Sequence, residues 1–204
     1  MASTSALQAH KSVSLPKAVR AYTLLEYLHR EEKSLHKHEF FNGKIVRMAG
    51  GNATHNQIAA QMTAALIAGV EDLPQTYIVY NSDMKIYIPA YNHGVYSDSV
   101  VICEKPEYWG GRKDIITNPL VVVEVLSNST EDYDRHEKFL KYQTIPVFRE
   151  YILIRQDICS IESWYREDVD LWRKKLVTDM TENLFLRSIN CAVPLRKVYK
   201  NVSL

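Results

Sequence analysis

Leu120-Val121-Val122-Val123-Glu124-Val125-Leu126 is the stretch whose reading decides the fold. Six of its seven residues are aliphatic and four are valine. β-Branched side chains suit a pleated strand. A short run that is apolar on both alternating faces is the pattern of a central strand covered by layers above and below. Alternation sets Val122, Glu124 and Leu126 on one face and Val121, Val123 and Val125 on the other. Glu124 interrupts the run near its C-terminal end, where open α/β sheets place their sites. An ionised carboxylate there is costly unless it is paired, hydrogen-bonded or metal-bound.

Downstream, Ser127–Thr130 caps a helix expected from about Glu131 to Gln143, which Pro146 ends. Glu150–Ile154 and Ile158–Arg166 read as strands, followed by weaker ones at Leu171–Val177 and Leu184–Leu186. Upstream, Tyr77–Tyr80 and Met84–Ile88 are expected to pair, and Val95–Cys103 to follow as one strand. The segment Glu104–Asn118 reads as loop. Thr54-x-x-Gln57 is expected to cap a helix with Ile58, Met62, Ala65, Leu66 and Val70 at helical spacing, closed by Pro74. Asn42-Gly43 lies between Phe40-Phe41 and Ile45-Val46, a tight hairpin. Thr23-x-x-Glu26 is a capping box for a first helix to about Lys33. The order of elements gives an α/β (α+β-like) fold, a mixed β-sheet flanked by helices. Residues 1–20 are expected to be a flexible tail and 21–204 one domain.

Composition removes whole classes of function. Hydrophobic residues make up 46% and charged residues 24%, the balance of a folded globular chain. Twenty-five basic and 24 acidic residues leave a net charge of +1, so contact with nucleic acid must come from local patches. Cys103, Cys159 and Cys191 form neither a CxxC pair nor a zinc spacing, which fits a reducing, cytoplasmic compartment. No apolar run is long enough to span a membrane. Dinucleotide, phosphate-loop, HExxH and GxSxG signatures are absent.

The chemistry that remains centres on Asp98 and Glu124. Asp98 opens the strand Ser99–Cys103. Two carboxylates on neighbouring strands make a site for Mg²⁺ or Mn²⁺, which prefer oxygen ligands. Such an ion lowers the pKa of a water and holds a phosphate oxygen. A lysine should complete the site by countering charge on an attacked phosphate. Glu-x-Lys would place it on the same strand face, but Leu126 stands there. Asp134, Lys138 and Lys141 share a helix face, with Tyr142 beside them, and Lys138 can reach back to the strand end. Its plainer alternative is a solvated face with an Asp134–Lys138 pair. Asp83-x-Lys85 is a competing acid–lysine pair. His36-x-His38 beside Glu39 would suit a transition metal or an exposed loop. Trp109–Lys113 joins an aromatic to two cations, Arg112 and Lys113, which with Lys141 are the candidate nucleic-acid contacts.

Glu124–Thr130, then Tyr133-Asp134, Lys138 and Tyr142, resemble the signature of the Uma family of restriction endonucleases, a branch of the PD-(D/E)XK nuclease superfamily. Glu39–Met48 resembles that family's N-terminal hairpin, His55 the histidine opening its next helix, and Ser82-Asp83 and Tyr96-Ser97-Asp98 its two aspartate strands. The resemblance runs from about Tyr22 to Ile154. It implies a restriction-endonuclease-like core and a Mg²⁺-dependent phosphodiesterase site. Asp98 and Glu124 would be its metal-binding acids and Lys138 its displaced lysine. Glu39, His55 and Asp83 would line the cleft, with Asp134 and Tyr142 in support. Ser97 and Asn128 stand where the family often has proline; neither change removes a proposed ligand. The expected activity is hydrolysis of DNA by a homodimer. The alternative is a catalytically inactive module that kept the fold and binds DNA or a protein partner.

Overall fold

All five residues of Val121–Val125 are buried, as a strand sandwiched between two layers must be. The computed structural model describes residues 20–204. In chain order these form α1 (Leu24–Glu31), β1 (His38–Phe41), β2 (Lys44–Arg47), α2 (Ala53–Val70), β3 (Tyr77–Asn81), β4 (Lys85–Ile88), β5 (His93–Tyr96), β6 (Ser99–Cys103), β7 (Ile115–Ile116) and β8 (Val121–Val125). They continue with α3 (Glu131–Tyr133), a π-helical turn (Asp134–Lys138), α4 (Phe139–Tyr142), β9 (Glu150–Ile154), β10 (Ile161–Asp168), β11 (Leu171–Val177), β12 (Asn183–Leu186), β13 (Cys191–Pro194) and α5 (Leu195–Val198). The expected tail falls on residues outside the described ones, apart from Arg20, which pairs with Glu26.

A six-stranded sheet has the order β11-β10-β9-β8-β6-β3 and a five-stranded sheet the order β2-β1-β5-β4-β7. β8 and β9 are parallel, joined by the helix at 131–142, while β6 and β8 are antiparallel, so the larger sheet is mixed. One face of that sheet packs Val121, Val123 and Val125 against Ile58, Met62 and Leu66 of α2. The other packs Val122 and Leu126 against Ile86, Ile88 and Val95 of the smaller sheet, and against Phe139 and Tyr142. α1 covers the far side of the smaller sheet with Leu24, Tyr27 and Leu28. Among the described residues no helix is long and apolar enough to cross a membrane.

Several expectations are corrected. Tyr77–Tyr80 and Met84–Ile88 do not pair with each other: β3 pairs with β6 and β4 with β5. No residue from Ser82 to Met84 adopts positive φ, and the chain crosses there between sheets instead of folding back. The run Val95–Cys103 is two strands, broken at Ser97-Asp98, where the chain passes between the sheets. The segment Glu104–Asn118 contains β7, which pairs parallel to β4. Asn52, not Thr54, caps α2, its side chain accepting from His55 N at 2.8 Å. The hairpin at Asn42-Gly43 stands as expected, both residues having positive φ.

Glu150 on β9 is fully buried. Its carboxylate accepts from Ser163 Oγ, Arg187 N, Ser188 N and Ser188 Oγ at 3.1, 3.3, 3.1 and 2.7 Å. It thereby fastens the turn between β12 and β13 to the main sheet. Glu150→Ala strands these donors and is expected to cost about 2–5 kcal/mol in urea denaturation. A loss below about 1 kcal/mol would show that the clasp does not hold the hairpin.

Candidate active site

The break at Ser97-Asp98 leaves Asp98 at the start of β6, beside the C-terminal end of β8. Its backbone N–H donates to Val123 O at 3.0 Å, which continues the antiparallel register and sets Asp98 opposite Glu124. Its carboxylate accepts from Val125 N at 2.7 Å through Oδ2 and lies 2.9 Å from His55 Nε2 through Oδ1. The hydrogen bond to Asp98 is the main reason the His55 pKa rises, against burial. α2 supplies this histidine from its first turn, which the Asn52 cap fixes.

Lys138 arrives from the opposite side. The expected helix at Glu131–Gln143 is interrupted by the π-helical turn, whose wider winding is common at functional sites. Asp134 and Lys138 are both 4% exposed, so the solvated-face alternative fails although the pair itself forms, at 3.4 Å. Lys138 Nζ donates to Tyr96 O at 2.8 Å and lies 2.9 Å from Glu124 Oε1 and 3.8 Å from Glu39. Glu39 is held in place by Tyr96 N–H at 3.1 Å. Burial opposes the Lys138 charge, but Glu124, Asp134 and Glu39 outweigh it and hold the ammonium protonated. Burial pushes the Glu124 carboxyl well up, with Lys138 opposing. Glu39 shifts the same way for the same first reason. One lysine cannot neutralise Glu39, Glu124 and Asp134 together, so this pocket carries an excess of buried acid.

Glu124 Oε1 is buried and lies 2.9 Å from the Lys138 ammonium. The hard oxygen chemistry of Asp98 and Glu124 and the excess of acid fit a Mg²⁺-type ion. Among the described residues, however, no three His, Cys, Asp or Glu side chains are gathered as a ready-made metal site. An ion here would therefore keep several waters, as Mg²⁺ commonly does.

The structure does not bring every expected residue here. Asp83 is exposed and pairs with Lys37 at 2.7 Å, so it does not line this cleft. The competing Asp83/Lys85 pair does not form, because Lys85 turns to Asp114 at 3.2 Å. Arg112 is bound to Asp114 and Glu32, which removes it from the free cations; Lys113 stays exposed. Trp109 packs against Tyr87. His38 pairs with Glu31 while Glu39 bonds Tyr96, so the His36–Glu39 run does not converge as a metal site. Tyr142 is fully buried against Phe148 and Tyr151, beneath the Lys138 pocket. Lys141 pairs with Glu137 at 3.2 Å and lies over Phe41 and Tyr133. Tyr96 was not foreseen as a site residue because it acts through its main chain, which no side-chain pattern signals. Tyr133 belongs to the resembling signature but was assigned no role in the site.

Gly51 permits the His55 arrangement. A Cβ there would stand 2.5 Å from His55 Cδ2. Gly51→Ala is expected to push the ring off Asp98 and return its pKa towards the ordinary 6.5 in an NMR titration. Any metal-dependent activity should fall about 10–100-fold, the usual effect of losing an outer-shell partner. An unchanged His55 titration would sink this account.

Comparison with known proteins agrees with the architecture. A crystal structure of a "putative nuclease belonging to DUF820" from Anabaena variabilis ATCC 29413 superposes with a TM-score of 0.68 at 13% identity, covering 87% of this chain and 97% of that one. "Uncharacterized protein sll1609" of Synechocystis sp. (strain PCC 6803) is 35% identical over 150 residues, 74% of this chain and 84% of the relative. "Uncharacterized protein slr1290" of the same organism is 32% identical over 180 residues, 87% and 91% of the two chains. The family model Uma2, described as "Putative restriction endonuclease", matches residues 24–193. The α/β core is therefore restriction-endonuclease-like, and the chain belongs to the Uma2 family.

Proposed function

We propose that the chain is a metal-dependent endonuclease that hydrolyses DNA phosphodiester bonds at Asp98, Glu124 and Lys138. The observation that carries this reading is the delivery of Lys138 Nζ to 2.9 Å from Glu124, at the strand end where Asp98 lies opposite. Asp98 and Glu124 would hold the Mg²⁺ or Mn²⁺. When bound, such an ion supplies positive charge to a phosphate oxygen and acidity to a water.

The protein's own part is positioning. His55 and Val125 N–H each hold one Asp98 oxygen and leave a second lone pair on each. Tyr96 O and Glu124 aim the Lys138 ammonium, whose remaining N–H can donate to a phosphate oxygen or orient the attacking water. Glu39 and Asp134 keep that ammonium charged. A homodimer belongs to this proposal for duplex substrates, where two copies would address two strands.

A second reading is an inactive module that binds DNA or a protein. One observation favours it: no third metal-ligating side chain joins the site among the described residues. Calorimetric titration with Mn²⁺, followed by a cleavage screen on DNA, separates the two. Uptake and cutting support the nuclease. Neither uptake nor cutting would leave the module.

A further inference from the structure

A row of four aromatic rings runs from the surface to the acid pocket. Tyr91, 42% exposed, stands at the outer end, its centroid 5.9 Å from that of His93. His93 meets Phe41 edge-on at 4.9 Å, and Phe41 meets Tyr133 edge-on at 6.0 Å. Lys141 Nζ lies 5.6 Å from the Phe41 centroid and 4.9 Å from that of Tyr133. The Tyr133 ring is half-buried and is followed in the chain by Asp134, which lies 3.4 Å from Lys138 Nζ, so the row ends at the site.

Two polar atoms in this row are buried without a partner: His93 Nδ1 and the Tyr133 hydroxyl. His93 as a whole is 8% exposed. Buried polar atoms are nearly always paired in folded proteins, whether by protein groups, ordered water or a ligand. Burial, then Lys141, push the His93 pKa down to about 4, so its ring is neutral at physiological pH. Two lysines lie along the row: Lys141, and the exposed Lys44, which stands across the β1–β2 pair from Phe41. Lys141 is shared with Glu137, and Arg112 is bound to Asp114 and Glu32. Binding to a duplex rests on many Lys and Arg contacts to phosphate. Aromatic faces with a few interleaved cations instead suit unstacked bases.

We propose that this row is a binding track for single-stranded DNA, on which an unpaired base stacks against Tyr91 and the strand passes Lys141 to reach Asp98 and Glu124. The Tyr133 hydroxyl and the His93 ring nitrogen then find partners on the strand. The track deepens the nuclease reading and rests on it for the direction in which the strand runs.

The test is fluorescence anisotropy without divalent metal, using labelled oligodeoxythymidylate and a duplex of the same length. The single strand is expected to bind at least about tenfold tighter. Tyr91→Ala should lower that affinity about tenfold, the loss of one stacked base. Tyr133→Phe, which keeps the ring, should lower it by a few-fold. Phe185→Ala, at an exposed aromatic outside the row, serves as the control and should change nothing. Equal or tighter duplex binding, no binding to either, or an unchanged Tyr91→Ala variant would overturn the proposal. Binding along the track without cleavage in Mn²⁺ would uphold it and remove the nuclease reading. Cleavage of a duplex without single-strand preference would do the reverse.

Discussion

Glu124→Ala is expected to abolish metal-dependent cleavage, by about a thousandfold or more, while the protein stays folded. The substitution removes a proposed metal ligand and the nearest carboxylate partner of Lys138. It does not strand the lysine, because Asp134 lies 3.4 Å and Glu39 3.8 Å from the same ammonium. It also removes a carboxyl that burial holds well above its ordinary pKa. Relief of that desolvation offsets part of the cavity cost on the face shared with Val122 and Leu126. Glu124→Gln keeps the volume and isolates the charge. Both variants should lose calorimetric Mn²⁺ uptake. In the wild type, a carboxyl with a raised pKa must give up its proton to bind metal. Uptake should therefore release protons and tighten as pH climbs above the ordinary carboxylate value of 4.5. Cleavage retained by either variant would remove Glu124 from the mechanism.

The legible part of this protein lies where one residue type contradicts its surroundings. Glu124 inside an aliphatic strand is such a place, and so is a lysine at helical spacing from Asp134. The hairpin at Asn42-Gly43 was equally plain, since positive φ has its own residue preference. The partition into two sheets was not legible. β3 and β4 are adjacent in sequence and each is compatible with a hairpin, and only long-range pairing with β6 and β5 decides otherwise. That partition breaks the chain at Ser97-Asp98 and so brings Asp98 to Glu124. It equally leaves Asp83, the aspartate of the other crossing, paired with Lys37 in solvent. The π-helical turn was hidden for a related reason: its pattern is that of an ordinary helix, and the extra winding becomes visible only when Lys138 is found buried. Main-chain partners such as Tyr96 leave no trace in residue type.

Lys138→Met is expected to be the most destabilising single change at the site, by about 3–5 kcal/mol near neutral pH. Methionine matches the stem of lysine but withdraws the ammonium from the buried acids, Glu124, Asp134 and Glu39. Lys138 holds the pKa of both Glu124 and Glu39 down against burial, so both rise further without it. An acid whose folded-state pKa exceeds its unfolded value is neutral in both states at low pH and carries no penalty there. The penalty grows as pH rises above the ordinary carboxylate value of 4.5 and levels off once the folded-state pKa is passed. Over that window the wild-type lysine stays protonated, its own pKa being well above 10.5. The Tm difference between wild type and Lys138→Met should therefore be small near pH 5 and widest near pH 8. Adding Glu124→Gln to Lys138→Met should recover part of the loss, since the two groups are in contact and their effects do not add. A Tm difference that is the same at every pH would mean that Lys138 acts through packing alone. The ion pair at the end of β8 would then be incidental to the stability of the fold.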